Sequence, residues 1–346
     1  MDKKITAAIT GIAGYVPEYI LTNEELGKMV DTSDEWIMTR IGIRERHILR
    51  ERGQGTSYMA EKAVRRLIKK TNTNVDDIDL VVWCGVTPDM PFPATANIVS
   101  DLVGIKKAFG FDINAGCSSF LFALSTVARF IESKRYKKAI LIGADKISTF
   151  VDYTDRATCP IFGDGAGAVL IEPNTEDYGV IDEMLHVDGS GRKYLYQKAG
   201  GSSYPATMET VVNRQHFIYQ DGQPVYKAAV SNMTEVSLKM MAKYGLTSEN
   251  IAWLVPHQAN LRIIKAVGQH MGLPEEKVMV NIVKYGNTTA ATLPLCMWDF
   301  ESKLKKGDNI ILTTFGAGFT WGAIYLKWAY DGKQEAEKEQ QLEELN

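Results

Sequence analysis

A cysteine, a histidine and an asparagine are the residues whose types and spacing could act together chemically. Cys117 lies in GFDINAGCSSFLFALSTVARFI, where a strand-like run ends at Asn114–Gly116 and an apolar helix is expected to begin at the cysteine itself. Gly116 permits a sharp turn, and a helix N-terminus offers partial positive charge and unpaired N–H groups. Both favour the thiolate, which is the reactive form. Most lone cysteines are small buried hydrophobes. Cys84, within an apolar strand, and Cys296, within an apolar helix, fit that description; Cys117, with its glycine and serine flanks, does not. His257, in WLVPHQANLRII, follows a strand and opens a helix, whereas His47, His186, His216 and His270 have no such setting. Asn287, in KYGNTTAATLP, would on local grounds cap a helix or form an Asx-turn.

The elements that must position these groups alternate between short β-branched runs and longer helical patterns, as in an α/β fold. Strands are expected at Leu80–Val86, Ala139–Gly143, Val169–Glu172, Trp253–Val255, Val278–Asn281 and Asn309–Thr314. Thr22 with Glu25, and Thr32 with Glu35, fit the capping box. A weak internal repeat is more informative. The strand IDLVVWCGV ends at Thr87 and Cys117 follows 30 residues later; the strand IAWLVP ends at His257 and Asn287 follows 30 residues later. Both later points lead into small-residue helix starts, GCSSF and GNTTAAT, and each half then supplies a further apolar strand, ILIGAD and IILTTFGAG. Two copies of one βαβ-type unit account for the matched order. Ligands in such sheets bind beyond the carboxyl ends of strands, so Thr87, Cys117, His257, Asn287 and Gly316 would face one site.

Several function classes are excluded. The 346 residues are 45% hydrophobic and 23% charged, with a net charge of −3 and no dense clustering of Lys and Arg, so no nucleic-acid footprint is present. Four cysteines without a CxxC pair give neither a zinc site nor a disulfide framework. No apolar run approaches the roughly 20 residues a membrane helix needs, and the N-terminus lacks a signal-peptide pattern. A reducing cytoplasm, where a free thiol persists, is the expected location. GDGAGA (163–168) and FGAGF (315–319) are not nucleotide fingerprints, because their glycines lead into a strand rather than a helix. Tight backbone packing, or an N–H offered to a reacting oxygen, explains them better.

With Cys117, His257 and Asn287 aligned, the chain resembles β-ketoacyl-acyl-carrier-protein synthase III of the thiolase superfamily from about Ile9 to Trp328. The segments that carry the resemblance are TSDEWI, TRIGIRERH, AGCSSF, DRATCPIFGDGAGAVL, DGSG, AGGSS, HQANLRI, YGNTTAA and FGAGFTWG. It implies a thiolase-like α/β fold with two pseudo-repeated halves in a layered αβαβα architecture. Residues 1–175 would carry the nucleophile, 176–330 the His and Asn, and 331–346 a polar, solvated tail. Cys117 would take an acyl group from an acyl-CoA, a substrate rather than a cofactor, and malonyl-acyl-carrier protein would then lose CO2 and attack the acyl-enzyme. His257 and Asn287 would donate to the thioester oxygen, and a second oxyanion hole would use the N–H of Cys117 and one from Gly316, Ala317 or Gly318. Family positions for CoA and pantetheine fall on Thr32, Trp36, Arg40, Arg156, Asn260 and Tyr226, with Trp36 and Arg156 stacking on the two faces of adenine. Gln258, Ala259 and Arg262 would meet the carrier protein, and Phe92 would reach into the acyl pocket of a second subunit, implying a homodimer. Neither metal nor resident cofactor is implied.

Three departures from the family pattern stand out. Ile41 replaces a Thr near CoA, Ala317 replaces a glycine whose N–H is needed, and Gln220 and Tyr226 replace Met and Phe in the pantetheine tunnel. Ala317 keeps its N–H but requires a negative φ. Two rivals use the same residues: a relative priming a polyketide, and a Cys–His–Asn thioester or peptide hydrolase. The sequence cue of papain-like enzymes around the cysteine is absent. A non-catalytic binding module would leave three polar residues at strand ends without a purpose.

Overall fold

The β-branched runs pair into two sheets of matching order in a computed structural model that describes residues 4–332. The first sheet runs Thr6–Tyr15, Gly165–Asn174, Ala139–Asp145, Leu80–Cys84, Phe109–Ile113 across its width. The second runs Gly179–Val187, Thr320–Lys327, Asn309–Gly316, Trp253–Pro256. Parallel and antiparallel pairings occur in the same places in both. The fifth place of the second sheet is held by Val278 alone, bridged in parallel to Leu254. The strand expected over Val278–Asn281 therefore does not form. The Gln258 side-chain oxygen accepts from the N–H groups of Asn281 and Ile282 at 3.0 and 3.1 Å, which diverts the chain into the helix Ile282–Tyr285.

Helices fill the space between and outside the sheets. Ser119–Glu132 and Thr292–Asp299 lie between them and pack on strands of both. Thr56–Thr71 and Thr95–Val103 cover the outer face of the first sheet; Gly222–Tyr244 covers that of the second and packs against Leu261–His270. The result is the layered αβαβα arrangement. One central apolar cluster draws Leu80, Val82 and Leu141 from the first sheet, Phe120, Leu124 and Val127 from the helix between, and Val255, Leu312 and Ile324 from the second. Burial of such side chains contributes roughly 1.5–3 kcal/mol each.

The caps differ from expectation by small shifts. Thr22 caps Asn23–Gly27 by accepting the Glu25 N–H at 3.2 Å, but the Glu25 carboxylate turns to Tyr19 and Arg50, so only half of a capping box forms. Ser33, not Thr32, caps Asp34–Arg40, accepting the Trp36 N–H at 3.1 Å. The Thr32 hydroxyl is buried without a hydrogen-bond partner among the described residues. Most of the acidic tail lies outside the described residues.

Candidate active site

Cys117 follows the strand Phe109–Ile113 on a tight turn in which Gly116 takes φ +61°. The helix begins at Ser119, two residues later than expected, so the thiol stands ahead of it rather than on its first turn. Two backbones meet here. A Cβ on Gly116 would lie 2.8 Å from the Ala317 nitrogen, and one on Gly316 would lie 2.6 Å from the Cys117 nitrogen. Only glycine allows this approach. The N–H groups of Cys117 and Ala317 are directed at the sulfur, and Ala317 is not among the positive-φ residues, as its N–H role requires. Burial, reinforced by the nearby Asp145, pushes the thiol up to about 12. That reverses the expected depression: desolvation outweighs the two N–H groups. Cys117 is partly open to a cavity, whereas Cys84, Cys159 and Cys296 are buried.

His257 sits at the end of Trp253–Pro256, its N–H donating to the Thr313 carbonyl at 2.8 Å. Its Nδ1 is 2.7 Å from the Thr292 hydroxyl. Burial pushes the imidazole down to about 3, so it is neutral at pH 7. Asn287 is held to the 161–163 stretch that leads into GDGAGA, its N–H donating to the Ile161 carbonyl at 2.8 Å and its carbonyl accepting from Gly163 at 3.1 Å. A Cβ on Gly163 would lie 2.3 Å from the Tyr285 carbonyl, which makes the glycine there a packing requirement. The Asn287 carboxamide oxygen accepts the Thr289 N–H at 2.9 Å, leaving the amide N–H groups for the cavity.

That cavity, of ≈ 900 Å³, is lined by Cys117, His257 and Asn287 together with Gly316, Ala317 and Gly318. Its walls include Trp36, Arg40, Ile41, Gln220, Tyr226, Ala259, Asn260 and Arg262. The Arg262 guanidinium lies 5.2 Å from the centre of the Tyr226 ring. Asn260 caps Leu261–His270 by accepting the Arg262 N–H at 2.8 Å, and its amide donates to the Arg40 carbonyl at 3.2 Å. Arg156 rests on the Trp36 ring, 4.9 Å from its centre, so the two close on each other instead of standing apart as adenine stacking needs. Gln258 cannot meet a carrier protein. It is 1% exposed, and its amide donates to the carbonyls of Pro256 and Met279 at 2.7 and 3.1 Å while its oxygen serves Asn281 and Ile282. Phe92 lies away from the cavity and is 83% exposed. Among the described residues no cluster of His, Cys, Asp or Glu could hold a metal ion, and no helix is long and apolar enough to cross a membrane.

Three residues at the back of the site escaped the sequence reading: Asp145, Thr289 and Thr292. Asp145 is fully buried, and its carboxylate accepts from Val86 N–H, Thr87 N–H and the Thr87 hydroxyl at 2.7–2.8 Å, and from the Thr289 hydroxyl and Ala290 N–H. A buried acid at the end of ILIGAD and the threonines of GNTTAAT were the available signals.

Solved structures with the same architecture are thiolase-fold condensing enzymes. The 3-oxoacyl-[acyl-carrier-protein] synthase III of Aquifex aeolicus superposes with a TM-score of 0.85 at 38% identity, over 93% of this chain and 100% of that one. The priming β-ketosynthase of the R1128 polyketide pathway superposes with a TM-score of 0.87 at 27% identity, over 96% and 99%. Among sequences, a β-ketoacyl-[acyl-carrier-protein] synthase III of Bacteroides thetaiotaomicron is 62% identical over 96% of this chain and its own full length, and one from Porphyromonas gingivalis is 53% identical over 95% and 98%. Family models for 3-oxoacyl-[acyl-carrier-protein] synthase III and its C-terminal part match residues 111–189 and 241–328. The chain belongs to the β-ketoacyl-[acyl-carrier-protein] synthase III family, the condensing acyltransferases that prime fatty acid synthesis.

Proposed function

We propose that this chain condenses an acyl-CoA primer with malonyl-acyl-carrier protein, using Cys117 as nucleophile and His257 and Asn287 as the decarboxylation donors. The observation that carries this reading is the single cavity onto which those three side chains open from opposite halves of the chain. In the first step the sulfur forms a bond to the primer carbonyl, the bond to CoA sulfur breaks, and the thiol proton ends on CoA. A thiol held near 12 must lose its proton as it attacks, not beforehand. In this reading the N–H groups of Cys117 and Ala317, directed at the resting sulfur, serve the tetrahedral oxyanion. In the second step the malonyl C–C bond breaks, releasing CO2 and leaving its electron pair on a thioester enolate. A neutral imidazole N–H and a carboxamide N–H suit that oxygen, and the carbon then attacks the acyl-cysteine and expels the sulfur.

Trp36, Arg40, Asn260 and Tyr226 form the pantetheine and CoA approach in this reading, and Arg262 beside Tyr226 marks the carrier-protein side. Admission of CoA between Trp36 and Arg156 requires Arg156 to swing aside. Phe92, exposed on one subunit, completes the acyl pocket of a second in a homodimer. Intact-mass measurement after incubation with a panel of acyl-CoAs tests the nucleophile: the wild type gains the acyl mass and Cys117→Ala does not. His257→Ala and Asn287→Ala are each expected to keep that adduct while losing about 10²–10³-fold in decarboxylation. Free acid as the only product, with no β-keto compound, would overturn the condensing reading in favour of hydrolysis.

A further inference from the structure

The site needs its imidazole to offer Nε2–H to the cavity, yet a buried neutral histidine can carry its proton on either nitrogen. What faces Nδ1 decides. The facing group is the Thr292 hydroxyl, at 2.7 Å, with Thr292 itself only 2% exposed. A hydroxyl has one proton, and this one has two acceptors within reach, His257 Nδ1 and the Thr289 carbonyl at 2.9 Å. The Thr289 carbonyl also accepts the backbone N–H of Thr292, so it stays hydrogen-bonded when the hydroxyl proton turns to Nδ1. Among the described residues Nδ1 meets no other hydrogen-bond donor, and it becomes an acceptor only if the hydroxyl turns to it.

The turn that carries this hydroxyl is fixed from both sides. Thr289 is held at φ +51°, a left-handed conformation rare for a β-branched residue. Its hydroxyl donates to Asp145, its N–H donates to the Asn287 carboxamide oxygen, and its carbonyl lies beside Thr292. Asp145 is anchored in turn by Val86 and Thr87 of the first half. The same short turn thus orients the carboxamide through one end and the imidazole through the other.

We propose that Thr292 is a positioning residue for this reaction: by donating its hydroxyl proton to Nδ1 it holds His257 as the Nε2–H tautomer that decarboxylation requires, within a turn that also sets Asn287. The inference rests on the roles given above to His257 and Asn287. Loss of the partner that fixes a catalytic histidine's tautomer costs up to about 10⁴-fold in serine proteases. Thr292→Val keeps the shape and removes the proton, whereas Thr292→Ser keeps the proton.

The test measures three quantities on the full chain: acyl-Cys117 formation from acetyl-CoA by intact mass, CO2 release from malonyl-carrier protein, and the ring ¹⁵N shifts of His257, assigned by difference against His257→Ala. Thr292→Val is expected to slow CO2 release at least about tenfold, change acylation by less than about threefold, and move Nδ1 away from its acceptor-type shift. Thr292→Ser is expected to restore all three. Wild-type CO2 release in Thr292→Val, or equal loss of both half-reactions without rescue by Ser, would overturn the proposal. If His257→Ala and Asn287→Ala also release CO2 normally, the site reading itself fails; if they are impaired and Thr292→Val is not, only the tautomer assignment does.

Discussion

Burial sets the protonation of both reactive side chains, and in opposite senses. The Cys117 thiol is raised to about 12 and the His257 imidazole lowered to about 3, so both rest uncharged at neutral pH. Two consequences follow for pH dependence. The rate of decarboxylation should show no acid limb near 6.5, the ordinary value for histidine, because His257 does not charge there; a kcat profile measured between pH 5.5 and 8 on the pre-acylated enzyme checks this. Stability responds differently. Below about pH 6.5 the unfolded chain binds a proton at His257 that the folded chain refuses until about pH 3, so stability falls on acidification through that window, by up to about 5 kcal/mol at its lower end. Asp164 opposes this between pH 4 and 6. Burial raises its carboxyl to about 6, so its contribution is present below about pH 4 and is lost as pH rises through 6. Melting temperatures of His257→Gln should consequently fall less than those of the wild type between pH 6.5 and 4. At this scale Cys117, His257 and Asn287 were legible as candidates, but the state of the thiol was not. A helix start read from sequence promises stabilising N–H groups, and it says nothing of the desolvation that overrides them.

Spacing exposed the elements better than it exposed their ends. The matched 30-residue intervals have a counterpart in matched sheet order, yet the fifth strand of the second sheet is reduced to a bridge at Val278 because a buried glutamine captures the next two N–H groups. Gln258 sits in a motif shared with residues that line the cavity, and nothing local distinguishes its inward-turned side chain from theirs. The cap at Ser33 instead of Thr32 is a similar one-residue ambiguity between two hydroxyl residues. The glycine loops, read as tight packing or as N–H groups offered to a reacting oxygen, do pack closely, and Gly116 opposite Ala317 is met as tightly. Gly116→Ala should therefore cost both fold and function: it forces φ +61° on an L residue and places a Cβ 2.8 Å from the Ala317 nitrogen. A loss of at least about 1–2 kcal/mol by chemical denaturation, together with slowed acylation, is the expected outcome. Asp145 joins two elements that are distant in sequence, the strand end at Val86–Thr87 and the turn at Thr289–Ala290. Asp145→Ala strands those donors and should destabilise by about 3–5 kcal/mol, with Asp145→Asn in between.

The layered order follows from the pattern that the two half-chains share, since each sheet has two faces to cover. The helices between the sheets serve both at once, so their residues are apolar on nearly all sides; Ser119–Glu132 buries Phe120, Leu121, Leu124, Val127 and Ile131. Sequence alone could not show that these helices are shared, because an all-round apolar helix carries no record of which partner lies on which side. Such sharing has a cost for any attempt to take the molecule apart. A fragment ending near residue 175 would leave the inner face of its central helix without the second sheet, and the complementary fragment would lack the helix altogether. Neither piece should stand as a folded unit, and a cut in the loop between them should be tolerated only while both pieces remain clasped.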